Sequence, residues 1–524
     1  MHNFATWSWV DASAGERLFS PSPLPSPSER RSLADPISFV SFYLMEKVTE
    51  SRIRVNLRMF LRKGRCSITR LIIIAVTLGS DKAVAADWPQ LLGPRTDGTS
   101  SETGLITAWP SSGPKVVWKK QIGTGYSAPS IRDGQLVLFH RVANEEIVEA
   151  LDAKTAKTIW RHASPTRYRD PFGYNNGPRC TPLLTEKHCY TFGAEGLLLC
   201  LNVKTGKPVW QRKTKEELEV PEAFFGVGAS PVIEGNLLIV MVGGQPNSTM
   251  VAFEKDTGKV AWRSAGRDTW QNKPSIGWPG EPLVRWRGNE KLASYSTPKL
   301  ATVHGRRTLL SLTRQGLVSL DPKTGKVNFS RWFRARINES VNAANPIVSG
   351  NRVFCSAAYY GVGSFLLDIA EDGKSFTEVW STNERRKANR RLEPVLAIHW
   401  TTPILHNGHL YAFSGRDEPD AHFRCVELES GRVKWSRDER WQKRGGKQPK
   451  VYGRGSAVMA DGRLFVLGEG GLLGLFEVNA EKPVELGRHQ VPELRYPCWA
   501  APILSDKRMV IRSEDYLICF DVAK

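Results

Sequence analysis

The segment LCLNVKTGKPVW, residues 199–210, constrains this chain more than any other feature, because variants of it return at nearly regular spacing. LDAKTAKTIW ends at Trp160, FEKDTGKVAW at Trp262, LDPKTGKVNF at Phe329 and LESGRVKW at Trp435. Each full copy reads as an apolar strand ending in Asp, Asn or Glu, a tight turn of the Thr-Gly-Lys kind, and a second strand closing on an aromatic residue. A second signature precedes each hairpin: a small or polar residue, then Pro, then a short apolar strand. These openers fall at Pro129, Pro182, Pro231, Pro298, Pro346 and Pro403, at Val458 in the proline slot, and at Pro502. Eight openers imply eight units of one architecture, with the length variation carried by loops.

Four short strands per unit, joined by Gly-rich turns, make a small antiparallel sheet that cannot bury both faces alone. A closed ring of such sheets can. The expected fold is therefore all-β, an eight-bladed β-propeller of four-stranded antiparallel blades. Trp160, Trp210, Trp262, Phe329, Trp380 and Trp435 occupy the outer-strand position, where a large ring can seal one blade against the next. The last unit stops at Lys524 after three strands. Val116-Val117-Trp118-Lys119, stranded before the first opener, has the pattern of the missing one. The N-terminal strand is thus expected to complete the last blade and to remove an exposed edge.

These openers and turns resemble the repeats of bacterial PQQ-like eight-bladed propellers, the superfamily of quinoprotein alcohol dehydrogenases and of the assembly lipoprotein BamB. The WPxxxGPxxxG pattern at residues 88–98 is similar to the start of many secreted members. The resemblance spans about residues 87–524. It implies the fold, and leaves activity open, because the motif residues are turns and blade seals.

Upstream, residues 59–86 have the layout of a secretory signal: Arg62, Lys63, Arg65 and Arg70, an apolar run from Leu71 to Leu78, and Ala83-Val84-Ala85 as a small-x-small cleavage site. The run is too short to span a bilayer. The expected organisation is a non-native or disordered leader at 1–58 with translation starting at Met59, a signal peptide at 59–86, a strapping segment at 87–115 and the propeller at 116–524. The expected location is periplasmic or extracellular, with no transmembrane span. Of the formal net charge of +20, residues 1–86 carry 12 basic and 7 acidic side chains, leaving +15 for the exported part. That balance favours a polyanion or protein partner in the cell envelope; no block of five or six consecutive Lys/Arg occurs, as an ordinary basic solvated surface would have it, and a nucleic acid is not the expected partner. A monomer is expected.

The HExxH, GxSxG and P-loop patterns are absent from the sequence. The eight cysteines include no adjacent pair, whereas the quinoprotein alcohol dehydrogenases that the repeats resemble typically carry a vicinal disulfide over the cofactor. PQQ with Ca²⁺ is therefore the alternative reading, and a dehydrogenase acting on an alcohol or sugar the alternative function. The favoured function is a non-enzymatic recognition or scaffold module. In a propeller, the loops entering the innermost strands converge at one mouth of the central channel. The residues ahead of the openers there include Tyr126, Arg179, Tyr295, Asn342, His399, Trp400, Arg454 and Trp499, with Phe225, Asn345 and Tyr452 beside them. Aromatic, arginine and amide groups in that mixture suit a flat ring or a sugar with polar anchors. No metal site is expected. Two long units place residues 263–295 and 383–391 in loops, the second holding RRKANRR as a candidate polyanion contact. Taking the turn Gly193–Gly196 as symmetric sets Cys189 opposite Cys200 across a hairpin, close enough for a strained disulfide.

Overall fold

The computed structural model describes residues 87–273, 286–335, 337–389, 393–416, 420–440 and 450–524, all within the unit Ser80–Lys524. The expected leader and signal segments, Arg390 and Arg391, and the side chains of Arg386 and Lys387 lie outside the described residues.

Among the described residues the strands form eight four-stranded antiparallel sheets, arranged as the blades of an eight-bladed propeller. Blades 1 to 7 occupy 130–165, 183–213, 232–264, 299–332, 347–381, 404–438 and 456–490. Blade 8 takes three strands from 503–521 and its outermost from Lys115–Gln121, which pairs antiparallel with Tyr516–Asp521. The apolar core is divided among the blade interfaces rather than pooled. Phe139, Val148 and Trp160 of blade 1 meet Cys189, Leu199 and Leu201 of blade 2. On the other face of blade 2, Tyr190, Phe192 and Cys200 meet Val240, Val251 and Phe253 of blade 3. Alternating residues of every middle strand therefore face opposite neighbours, and both faces are dry.

The repeated aromatic has a defined mechanical role. In every blade the ladder between the third and outermost strands is interrupted by a register shift, for example between Ala150 and Leu151 and between Cys200 and Leu201. The sealing residue pairs with the residue just before that shift, as Trp160 does with Ala150 and Trp210 with Cys200. Such a bulge bends the strand and re-aims its side chain. Each indole then lies across the following blade's turn and donates to its backbone. Trp160 donates to Val203 O at 2.9 Å, Trp210 to Lys255 O at 2.9 Å, and Trp262 to Pro322 O at 3.2 Å. Trp380 donates to Leu428 O at 2.9 Å and Trp435 to Asn479 O at 3.0 Å. The ring of Trp210 also covers Gly258, where an added Cβ would stand 2.7 Å from it and where φ is +72°. The turn glycine is thus required twice, by its left-handed backbone and by the indole stacked on it.

Two interfaces depart from this scheme. Phe329 has no N–H to offer blade 5, and there Gly373 is not covered by a ring. Blade 7 carries Gly487 at the sealing position, and Trp109 from the N-terminal segment packs over it and against Phe465.

Residues 87–114 run across the ring against the short strands of the openers. Trp88 exchanges two backbone bonds with Ile131 of blade 1, and Pro89 O accepts from Leu184 of blade 2. The Lys299 ammonium of blade 4 donates to Arg95 O and Thr96 O. Gly98 O and Ser100 N bond Met459 of blade 7, and Gly104 O accepts from Lys524 N. One segment thereby ties five blades together. No helix among the described residues is long and apolar enough to cross a membrane.

Two expectations are corrected. Cys189 pairs with Leu201, and Cys200 with Tyr190. The turn is asymmetric: Gly193 N donates to Leu197 O, so one extra residue enters the loop and Phe192 pairs with Leu198. A one-residue slip sends the two sulfurs to opposite faces of the blade, and all seven described cysteines are free and buried. The stretch 383–391 begins on a short helix, Thr382–Ala388, capped by Ser381 Oγ accepting from Glu384 N. Arg385 on that helix lies over the Trp380 ring at 5.1 Å and donates to Gly431 O and Ser430 O, so it reinforces a blade seal instead of extending into solvent.

Candidate functional site

The residue immediately ahead of each opener faces the channel. Ala128, Thr181, Ser230, Thr297, Asn345, Thr402, Ala457 and Ala501, one from each blade, line a cavity of about 300 Å³. Over half the circle these residues form a belt in which each side chain accepts from the previous blade's backbone. Thr181 N donates to Ser230 Oγ at 2.9 Å, Ser230 N to Thr297 Oγ1 at 3.0 Å, Thr297 N to Asn345 Oδ1 at 2.7 Å and Asn345 N to Thr402 Oγ1 at 3.4 Å. Because a backbone N–H can only donate, the amide of Asn345 must turn its oxygen to Thr297, which leaves Nδ2 as a donor. That Nδ2 and the hydroxyl hydrogens of Thr297 and Thr402 meet no acceptor among the described residues. Leu91 and Leu92 of the N-terminal segment form the floor.

Above the belt stands an aromatic collar. Trp400 and Trp499 have ring centroids 4.7 Å apart, and Trp499 continues to Tyr126 at 4.9 Å, Tyr496 at 5.8 Å and Tyr174 at 6.3 Å. Tyr174 leads to Phe225 at 5.8 Å, and Phe225 to Tyr295 at 5.6 Å. Phe172, Tyr174, Tyr360 and Tyr496 are 52%, 57%, 46% and 45% exposed, so the strongly exposed aromatic surface among the described residues gathers around this mouth. Burial pushes the phenols of Tyr126 and Tyr295 well above the ordinary value, so both are neutral.

Two arginines stiffen the collar, and both are neutralised. Arg179 donates to buried Asp170 Oδ2 at 2.8 Å and to Gly177 O and Asn175 O, with its guanidinium 5.7 Å from the ring of Tyr126. Arg454 holds Glu469, whose side chain is fully buried, at 2.8 Å and lies 4.6 Å from the Trp400 ring. Glu469 also accepts from Trp499 Nε1 at 3.1 Å. His399 sits between them. Arg454 donates to its Nδ1 at 3.2 Å, so the ring proton is on Nε2, 3.1 Å from the Tyr359 hydroxyl. Burial, with the Arg454 cation beside it, holds the imidazole pKa down at about 3.

Seven of the eight residues expected at the mouth line this one cavity: Tyr126, Arg179, Tyr295, His399, Trp400, Arg454 and Trp499. Asn342 does not. It is fully buried and spends Nδ2 on Thr313 O at 2.7 Å and Phe333 O at 3.1 Å, pinning two loops of blade 4. Tyr452 is likewise buried, its hydroxyl donating to Glu485 at 2.8 Å. Phe172, Tyr174 and Tyr360 escaped the sequence reading because they lie on loops away from the residues just ahead of the openers, whereas Tyr496, six residues ahead of Pro502, shares the offset of Phe225 and Tyr452 and was within reach of that signal.

A quinone cofactor held through Ca²⁺ would need carboxylates at this wall as metal ligands and as base. The described cavity wall presents none. Asp170 and Glu469 stand behind it, each committed to an arginine, and among the described residues no group of three His, Cys, Asp or Glu could hold a metal ion. The donor set does not fit that cofactor.

The repeat family described as outer membrane protein assembly factor BamB matches residues 143–437. The dehydrogenase subunit of the quinone alcohol dehydrogenase of Komagataeibacter europaeus is 27% identical over 165 residues, which are 28% of this chain and 21% of that protein. The chain thus matches about a fifth of that relative's length. Among solved structures, quinohemoprotein alcohol dehydrogenase from Comamonas testosteroni superposes with a TM-score of 0.57 over 84% of this chain and 81% of that one, at 14% identity. A europium-containing methanol dehydrogenase gives 0.58 over 82% and 90%, at 13% identity. At such identities the likeness is one of fold.

Proposed function

The chain belongs to the family described as outer membrane protein assembly factor BamB, and from that premise we propose that it is an exported, non-catalytic recognition module for a protein or polymer of the cell envelope. The observation that carries this reading is the cavity wall: aromatic faces and hydroxyl or amide donors line it, no carboxylate stands among its described lining residues, and Asp170 and Glu469 behind it are each paired with an arginine. Such a wall can hold a ligand by stacking and hydrogen bonding, but offers no group placed to take a proton from it. The net charge of the exported part favours envelope polyanions at the outer surface, away from these neutralised arginines. The matured protein is proposed to start near Ala86 or Asp87, after the signal-like segment 59–86.

The test pairs two assays on the purified protein. Addition of PQQ and Ca²⁺ with a panel of alcohols and aldoses should give no saturable dye reduction, and affinity capture from a periplasmic fraction should retain a partner that a Trp499→Ala protein releases. Saturable dye reduction overturns the reading.

A further inference from the structure

We infer that the channel is a receptor for the end of a neutral sugar chain, an inference that rests on the recognition reading and narrows its ligand. Three observations converge on it.

The first is shape. Leu91 and Leu92 close the floor while the collar opens to solvent, so the cavity is a well and not a passage. A polymer can enter such a well only by a terminus.

The second is charge. Arg179 and Arg454 are the cations at the wall, and each is matched by a buried carboxylate within 2.8 Å. His399 is held neutral in the same group. Desolvating an anionic group here would bring no uncompensated positive charge to it, so the site favours a ligand without charge.

The third is the order of chemistry along the axis. At the rim are exposed rings, Tyr174 and Tyr496 foremost, set at tilts of 49° and 83° to Trp499. In the depth are donors left over from the belt: Asn345 Nδ2 and the hydroxyls of Thr297 and Thr402. A pyranose presents an apolar C–H face, which stacks on an aromatic ring, and an edge of hydroxyl and ring oxygens, which accept from such donors. A terminal sugar seated on the belt would leave the next sugars against the collar and then against the exposed rim. The volume of about 300 Å³ is at the lower end for small-molecule sites, which suits a terminal unit with the rest of the chain outside.

The experiment is intrinsic-fluorescence titration, since Trp400 and Trp499 report directly from the wall, with maltohexaose, cellohexaose, chitohexaose and xylohexaose as neutral probes. Hexagalacturonate is the charged probe and cyclomaltohexaose the endless one. Saturable quenching by at least one linear neutral oligosaccharide is expected, weakened about tenfold in the Tyr174→Ala/Tyr496→Ala protein, whose substituted side chains are exposed and whose melting temperature should be unchanged. For a maltohexaose ligand, cyclomaltohexaose should not compete. Binding of hexagalacturonate alone, equal binding of the cyclic sugar, quenching indifferent to the rim substitutions, or quenching by none of the neutral probes each overturns the inference. Those outcomes leave the recognition reading standing, because only PQQ-dependent turnover, measured separately, removes it.

Discussion

The indole N–H of Trp118 donates to Ala153 O at 3.0 Å, which makes the first strand of the propeller the seal between its last blade and its first. Trp118 occupies in blade 8 the place that Trp160 holds in blade 1, paired with Cys519 beside a bulge. Replacing it tests that seal. Trp118→Phe keeps most of the packing and loses one hydrogen bond, at a cost of about 1 kcal/mol. Trp118→Ala should cost about 3–5 kcal/mol. Urea unfolding measures both, and equal midpoints for the two variants would show that the ring does not depend on this contact.

The double demand on the turn glycines is separable. At Gly258, φ is +72° and the Trp210 ring lies in contact, whereas at Gly235 φ is +59° and nothing lies within 4 Å of an added Cβ. Gly235→Ala should therefore cost only the left-handed backbone penalty, about 1 kcal/mol. Gly258→Ala should cost that plus displacement of the indole, about 1–3 kcal/mol more. A matching loss for both in thermal unfolding would mean the stacked ring yields freely.

The unsealed interface invites a stabilising change. Phe329 lacks the donor its counterparts use, and Gly373 is open toward Arg306 at 3.5 Å. Phe329→Trp should raise stability by about 1 kcal/mol through an indole bond to the blade 5 turn, read as a higher denaturation midpoint. A lower midpoint would show that the loops of blade 5 are too close to admit the larger ring.

Two buried groups should give opposing pH dependences. Burial lifts Glu146 to about 7, against the pull of its bond from Ala194 N. Its folded-state pKa is raised, so its contribution is present below the ordinary carboxylate range and is lost as pH rises through about 7. His399 is depressed to about 3. Its contribution is present above the ordinary imidazole value and is lost as pH falls toward 3. Glu146→Gln should flatten the decline in melting temperature between pH 5 and 7, about the span of that shift, and His399→Gln the decline on the acid side. An NMR titration in which His399 protonates near its ordinary value would contradict the enclosure described for it.

The thiols give a simple check. Each of the seven cysteines of the propeller is free and buried, and burial pushes Cys180 and Cys498 up to about 12. The native protein should be inert to thiol reagents, and unfolding without reductant should release all seven. Fewer would indicate a bridge.

The blades were legible because their determinants are local: the turn residues, the strand alternation and the aromatic three or four residues past the turn all sit within one hairpin. The clasp was legible for the same reason, since Val116 to Lys119 has the pattern of an outer strand in the wrong place. Register was less so. Nothing in Gly193-Ala194-Glu195-Gly196 states which carbonyl Gly193 N will choose, and that choice alone separated Cys189 from Cys200. At the cavity, position ahead of an opener located the aromatic and basic residues, but not the carboxylates opposing them. Asp170 lies nine residues before Arg179, and Glu469 fifteen after Arg454. Their pairing is a product of tertiary packing, and it turned arginines expected to anchor a ligand into supports for the rings.

The strand Lys115–Gln121 is synthesised before any blade and finds its partner, Tyr516–Asp521, roughly four hundred residues later. Closure is thus the longest-range event in folding and, on the dependence of rate on contact separation, the slowest. Until it happens the nascent molecule carries two unpaired strand edges, one at each end of an open arc, each a template for the other or for the same edge of a neighbouring chain. The architecture that leaves only short, protected edges when finished is therefore exposed to runaway strand exchange while it is being made, and the concentration of unfinished chains becomes a determinant of yield.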